Sequence, residues 1–84
     1  MDLEFEKLTM EDVADFKETY RDRYGEIDSV KIHSFIDSSG LGMLIEIAKY
    51  KQKLNQKKLV IRDLKNIQRV IFNLSKLDEL FEIN

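Results

Sequence analysis

The sequence predicts a small α/β domain: a mixed sheet of roughly three to five short strands, with helices packed mainly on one face. Stretches with the two-residue alternation of strands are followed by stretches with helical spacing, and this order repeats along the chain. With 84 residues, the chain has room for one domain, residues 1–84, with one modest core.

The composition narrows the class of protein. Hydrophobic residues make up 43% and charged residues 36% of the chain, a balance typical of a folded soluble domain. The lack of cysteine excludes disulfides and, with one histidine, argues against a zinc site. No apolar run approaches the roughly 20 residues of a membrane span. The acidic start, Met1–Glu6, is unlike a secretory signal. We therefore expect a cytoplasmic protein with no membrane span, metal or cofactor.

Charge is distributed unevenly along the chain. Residues 1–28 hold ten acids against four bases, and residues 46–69 hold eight bases against two acids. A basic half could contact nucleic acid. However, only Tyr50 lies among these lysines, so the interleaved aromatic side chains that stack on bases are missing. We expect a solvated helix face and no nucleic-acid partner.

The first third of the chain predicts a short strand and a helix. Leu3–Phe5 alternates apolar and acidic residues, as at the end of a strand. Thr9 can cap a helix whose first turn carries acids, which the helix dipole favours. Gly25 lies where a glycine commonly follows the last residue of a helix, so the helix is predicted over Thr9–Tyr24.

The centre of the chain predicts a strand over 27–36 and a helix over 41–54. The strand ends on an apolar pair, and the helix carries two apolar stripes. Such a helix contacts two surfaces, either a sheet and another helix or a sheet and a partner. Asn55–Lys58 is predicted as a turn. The stripes are Leu41, Leu44, Ile45 and Ala48, and Met43, Ile47, Tyr50 and Leu54.

The last third predicts a short buried strand at Leu59–Ile61, a third helix over about 65–74, a helical turn at Leu77–Phe81 and a last strand at Phe81–Ile83. Alternating strands and helices favour mostly parallel pairing. The predicted core consists of Phe16, Tyr20, Ile32, Leu44, Ile45, Ala48, Val60, Ile71, Leu74 and Leu80.

The segment Asp37–Gly42 lies between a predicted strand end and a helix start. Unpaired N–H groups at a helix start attract an oxygen or an anion, and two glycines leave room for close approach. A hydroxyl there is accessible to another protein's active site, and a phosphate would add about two negative charges. In the simpler alternative, Asp37, Ser38 or Ser39 only caps the helix.

Three stretches resemble the STAS domains of bacterial anti-sigma-factor antagonists. Phe35–Gly42 closely resembles their strand-to-helix signature, and Leu59–Ile61 resembles a short apolar strand of that family. Residues 74–83 resemble its closing segment, with Lys76 where glycine is usual. The usual N-terminal strand and the Gly-Glu-Leu-Asp turn are not found. The resemblance spans residues 3–83 and implies a STAS-like fold.

The resemblance also implies a function. In that family the serine directly after the aspartate is phosphorylated by a kinase that is also the anti-sigma factor, and a PP2C-type phosphatase restores it. The unphosphorylated form binds the anti-sigma factor and frees the sigma factor. The matching serine here is Ser38. The implied partner-binding residues are Asp37, Ser38, Ser39, Gly40, Leu41, Gly42 and Met43.

Other functions remain open. The same fold also serves as a non-switching scaffold or interaction subunit of signalling or transport complexes, and a nucleotide or lipid could bind at the same helix start. An exposed edge strand would favour a homodimer. An enzyme is not expected, because His33 lies about 16 Å from Ser38 along an extended strand, too far to serve as its base.

Overall fold

The computed structural model describes residues 1–63 and 79–83. Four strands and two α-helices alternate over most of this part of the chain, with a short 3-10 helix at Tyr24–Glu26. The predicted helix over 65–74 and the core residues Ile71 and Leu74 lie outside the described residues. The elements are β1 (Asp2–Leu8), α1 (Met10–Tyr20), β2 (Ser29–Ile36), α2 (Ser38–Lys53), β3 (Leu59–Arg62) and β4 (Phe81–Ile83).

The sheet has four strands in the order β1-β2-β3-β4, and all three pairings are parallel. The expectation of a mixed sheet was therefore wrong for the described strands. The physical reason is the connections: α1 joins β1 to β2 and α2 joins β2 to β3, and a crossover helix returns the chain to the same end of the sheet. The fold is a small α/β layer, as predicted.

Both described helices pack on one face of the sheet, as predicted. Helix α1 contacts β1 and α2, while α2 contacts β1, β2 and β3. Right-handed crossovers that add each new strand on the same side place successive helices on the same face. The buried residues are Leu8, Phe16, Ile27, Val30, Ile32, Met43, Leu44, Ile47, Ala48, Leu59, Ile61 and Phe81.

The predicted core is confirmed at Phe16, Ile32, Leu44 and Ala48. Three predicted members, Tyr20, Ile45 and Leu80, are only partly buried against this core. Ile45 lies at the flank because the core-facing surface of α2 runs between the two predicted stripes. Val60 is also only partly buried, since its neighbours Leu59 and Ile61 take the core-facing positions of a strand that alternates between faces.

The C-terminal boundary of α1 differs from the prediction. Helix α1 ends at Tyr20 instead of Tyr24, and Gly25 lies in the 3-10 helix without a positive φ, so it is not the C-terminal glycine of α1. A left-handed residue instead follows α2: Asn55, two residues after the last residue of that helix, has a φ of 57°. The backbone N–H of Gln56 then donates to the carbonyl of Lys51 at 2.9 Å, a bond typical of a Schellman cap.

The second face of the sheet carries charged side chains. Lys31 of β2 forms ion pairs with Glu4 of β1 at 3.9 Å and with Asp63 at 3.1 Å. His33 is exposed, as expected, and its Nε2 lies 2.6 Å from Oε1 of Glu4.

Replacing Leu44 tests the assignment of the core. Its side chain is 0% exposed in the layer between α2 and the sheet. Leu44→Ala is expected to cost about 2–5 kcal/mol, because it removes buried apolar surface and leaves a cavity. Chemical denaturation measures this change. Leu54→Ala is the matched control, since Leu54 is 48% exposed, and an equal loss in both variants would contradict the helix face.

Candidate functional site

The carboxyl ends of β1 and β2 lie side by side, with Leu8 paired with Ile36. Each strand is followed after one residue by a helix, α1 from Met10 and α2 from Ser38. Because the strands are parallel, both helix N-termini lie at this edge of the sheet. We call it the carboxyl edge and define it by residues 6–12 and 35–42.

Asp37 joins the two helix starts. Its Oδ1 accepts a hydrogen bond from the N–H of Gly40 at 2.9 Å, which caps α2, and its Oδ2 accepts one from the N–H of Met10 at 3.1 Å, in the first turn of α1. Its own N–H donates to the carbonyl of Leu8 at 3.2 Å. The structure therefore assigns the capping role to Asp37.

Ser38 is the first residue of α2 and its side chain is exposed. In the described part of the chain, its hydroxyl has no hydrogen-bond partner, and the backbone N–H groups of Ser38 and Ser39 have no acceptor. Ser39 is half-buried. Of the two serines, Ser38 presents the more accessible hydroxyl, beside free N–H groups that favour an anion.

Gly40 is buried where α2 crosses the end of β1. A Cβ atom at this position would lie 2.3 Å from the carbonyl oxygen of Leu8 and 2.9 Å from Cγ1 of Ile36. Glycine lets the helix backbone approach the strand backbone, so this contact positions Ser38 relative to the sheet. Gly40 therefore has a packing role and does not offer contact surface.

Gly42 is different, because a Cβ atom there would meet nothing within 4 Å. It lies four residues after Ser38 and so on the same side of the helix. Leu41, next to it, is half-buried. Ser38 and Gly42 therefore form an exposed flank of α2 on which a partner could reach the helix backbone.

Met43 does not belong to this surface. It is 1% exposed and lies in the core. The partner contact at Met43 stays a prediction, and in this structure the Met43 side chain packs inside the domain. The reason is that Met43 belongs to one of the two apolar stripes of α2 and packs in the core with Ile47 of the same stripe.

The start of α1 is fixed by its own side chains. Asp12 accepts hydrogen bonds from the backbone N–H of Thr9 at 3.0 Å and from its hydroxyl at 2.8 Å. The backbone bond from Thr9, aided by its hydroxyl and by Lys7, holds the pKa of Asp12 below its ordinary value. Thr9 is thus the N-terminal cap residue, as the sequence predicted.

Two residues at the carboxyl edge were not predicted as functional. Met10 and Phe35 are 69% and 51% exposed, although both are large and hydrophobic. For Phe35 a signal existed, since the alternation of the strand placed it on the side of Lys31 and His33. For Met10 no comparable signal existed, because it extended the apolar line of the helix.

Across 1–63 and 79–83, no three or more histidine, aspartate and glutamate side chains cluster in a way that could hold a metal ion. Within the same ranges, no helix combines the length and apolar character needed to cross a membrane.

Comparisons with protein-family models, with curated proteins and with solved structures give no match to this chain. The resemblance to STAS domains thus depends on the sequence motifs alone.

Proposed function

We propose that this chain is a protein-binding switch controlled by phosphorylation of Ser38, similar to the anti-sigma-factor antagonists. In its unphosphorylated form it binds a serine kinase that is also an anti-sigma factor, and a PP2C-type phosphatase reverses the modification. The observation that supports this most is the division of roles at the carboxyl edge. Asp37 caps the helix, and the neighbouring hydroxyl of Ser38 is exposed and unbonded among the described residues.

The surroundings of Ser38 suit a modification that leaves the fold intact. A phosphate at the first position of α2 lies next to unpaired N–H groups and at the positive end of the helix dipole, which favours an anion by about 0.3–1 kcal/mol. The side chain of Asp37 is already held by two backbone N–H groups. Phosphorylation is therefore expected to change the surface without unfolding either helix.

The exposed flank also suits partner binding. Glycine in a helix costs about 0.5–1 kcal/mol relative to alanine, and at Gly42 no packing contact compensates for this cost. A bare stretch of helix next to Ser38 allows a partner's backbone to approach closely. A phosphate on Ser38 would place charge and bulk inside that contact, and a charge buried without a partner is costly.

Phosphorylation is tested by incubating the chain with ATP and each histidine-kinase-like serine kinase encoded in the same genome. We expect one of them to add a single phosphate, found by mass spectrometry on the Ser38 peptide. Ser38→Ala should abolish the modification, and Ser39→Ala should not. Phosphate on Ser39, or no modification by any of these kinases, would contradict the proposal. Partner binding without modification would instead favour a non-switching interaction subunit.

A further inference from the structure

Large hydrophobic side chains are exposed at both ends of α2. Among the described residues, Met10 and Phe35 are 69% and 51% exposed, and Leu54 and Tyr50 are 48% and 45% exposed. The first two lie at the carboxyl edge, and the other two near the C-terminus of α2. Only the first pair flanks Ser38, so they are candidates for anchors of a protein contact, and the second pair provides controls.

Phe35 lies next to a bulge in β2. Phe5 pairs with Ile32, but Lys7, two residues later in β1, pairs with Phe35, three residues later in β2. The extra residue of β2 is accommodated near Ser34, whose hydroxyl donates to the carbonyl of Glu6 at 2.7 Å. Bulges of this kind re-aim side chains next to functional sites. Here the bulge pairs Phe35 with the exposed Lys7.

Met10 and Phe35 lie close enough to Ser38 for one partner to cover all three. The N–H of Met10 is bonded to the carboxylate of Asp37. Ser38 comes three residues after Phe35, so their Cα atoms are at most about 11 Å apart. A protein contact of ordinary size covers about 800 Å² on each partner. A contact of this size centred on Ser38 is wide enough to reach both residues.

The charges around this pair favour a basic partner. Glu6, Glu11 and Asp15 are exposed in β1 and α1. The bases near this pair already have acidic partners: Lys7 is paired with Asp12 at 3.3 Å, and Lys31 with Asp63 at 3.1 Å and Glu4 at 3.9 Å. Acidic surroundings repel the phosphates of nucleic acids and of anionic membranes, and they attract lysine and arginine side chains.

We propose that Met10 and Phe35 are the hydrophobic anchors of the switch surface, and that they fit an apolar pocket ringed by lysine and arginine on a protein partner. This inference rests on the proposed function and adds the chemistry of the partner. It also explains why phosphorylation of Ser38 should weaken partner binding and not strengthen it. In the proposed contact, Glu6 and Glu11 form the hydrated rim, where charge attracts the partner, while a phosphate on Ser38, next to Asp37, falls within the area from which binding removes water.

The anchors are tested by calorimetric titration with the kinase that phosphorylates Ser38, in the presence of ADP so that no phosphate is transferred. We expect Phe35→Thr and Met10→Gln each to weaken binding about tenfold or more, as for central hydrophobic anchors. Leu54→Gln, a matched loss of an exposed side chain at the other end of α2, should change the affinity less than about twofold. Thermal melting of each variant checks that the fold is unchanged.

The rim charges are tested by the association rate of the same pair. Raising the salt concentration from about 0.05 M to about 0.5 M should slow association several-fold, because it screens the attraction. Glu11→Gln should reduce this dependence on salt. An association rate that rises with salt would overturn the basic partner surface.

The anchor inference and the proposed function fail in different ways. If Phe35→Thr and Met10→Gln bind as well as wild type while phosphate on Ser38 weakens binding, the anchors are refuted and the switch remains. If no kinase of this class binds or modifies the wild-type chain, both are refuted.

Discussion

Gly40→Ala is expected to destabilise the domain by about 1–3 kcal/mol, although alanine is the better helix former. The added methyl group would lie 2.3 Å from the carbonyl oxygen of Leu8. That oxygen cannot easily move, because it accepts the hydrogen bond from the N–H of Asp37. Either α2 shifts away from β1 or the end of β1 shifts, and both changes disturb the junction that holds Ser38. In a domain with a total stability of about 5–15 kcal/mol, this is a large effect.

Gly42→Ala is the matched control, with an effect of opposite sign. It makes the same chemical change two residues later in the same helix, where a Cβ atom meets nothing within 4 Å. We expect it to stabilise the domain by about 0.5–1 kcal/mol. Urea denaturation of both variants gives the two values. Similar stabilities for the two variants would show that α2 does not pack on the backbone of β1 as described.

The second large effect concerns binding. Ser38→Asp is expected to reduce affinity for the kinase partner by about tenfold or more, equivalent to at least about 1.4 kcal/mol. The cause is a carboxylate placed where binding removes water, next to Asp37. Stability should stay within about 1 kcal/mol of wild type, because an acid in the first turn of a helix is favourable.

Two neutral substitutions at the same position separate charge from size. Ser38→Asn has nearly the volume of Ser38→Asp without the charge, and we expect it to bind within a few-fold of wild type. Ser38→Ala should bind at least as well as wild type, since the hydroxyl has no bond in the described part of the chain. If Ser38→Asn binds as weakly as Ser38→Asp, bulk and not charge opposes the partner.

Much of the fold could be predicted from local patterns. The two-residue alternation predicted a strand over 27–36, and β2 is Ser29–Ile36. The apolar run Leu59–Ile61 predicted β3, which is Leu59–Arg62. The alternation of acids with Leu3 and Phe5 marked only the end of a short strand, whereas β1 runs from Asp2 to Leu8. The sequence evidence for the parallel order was present too, in the helix between each pair of strands. That evidence predicts mostly parallel pairing, and all three described pairings are parallel, although the sheet as a whole was expected to be mixed.

What could not be predicted depends on contacts between distant parts of the chain. Asp37 binds the N–H of Met10, which lies 27 residues earlier, and no local pattern records that bond. The same is true of Gly40, whose need for glycine comes from the carbonyl of Leu8. Both depend on β1 and β2 ending side by side. The sequence therefore identified Asp37–Gly42 as a candidate site, but not the contacts that require aspartate and glycine at positions 37 and 40.

The switch is tested most directly by measuring the affinity of the wild-type chain for its kinase before and after phosphorylation of Ser38, by calorimetry with ADP present. The phosphorylated protein should bind at least about tenfold more weakly. Its circular dichroism spectrum should be unchanged, because the phosphate alters the surface and not the fold. Treatment with a PP2C-type phosphatase should restore the original affinity. Equal affinities of the two forms would contradict the claim that Ser38 controls partner binding.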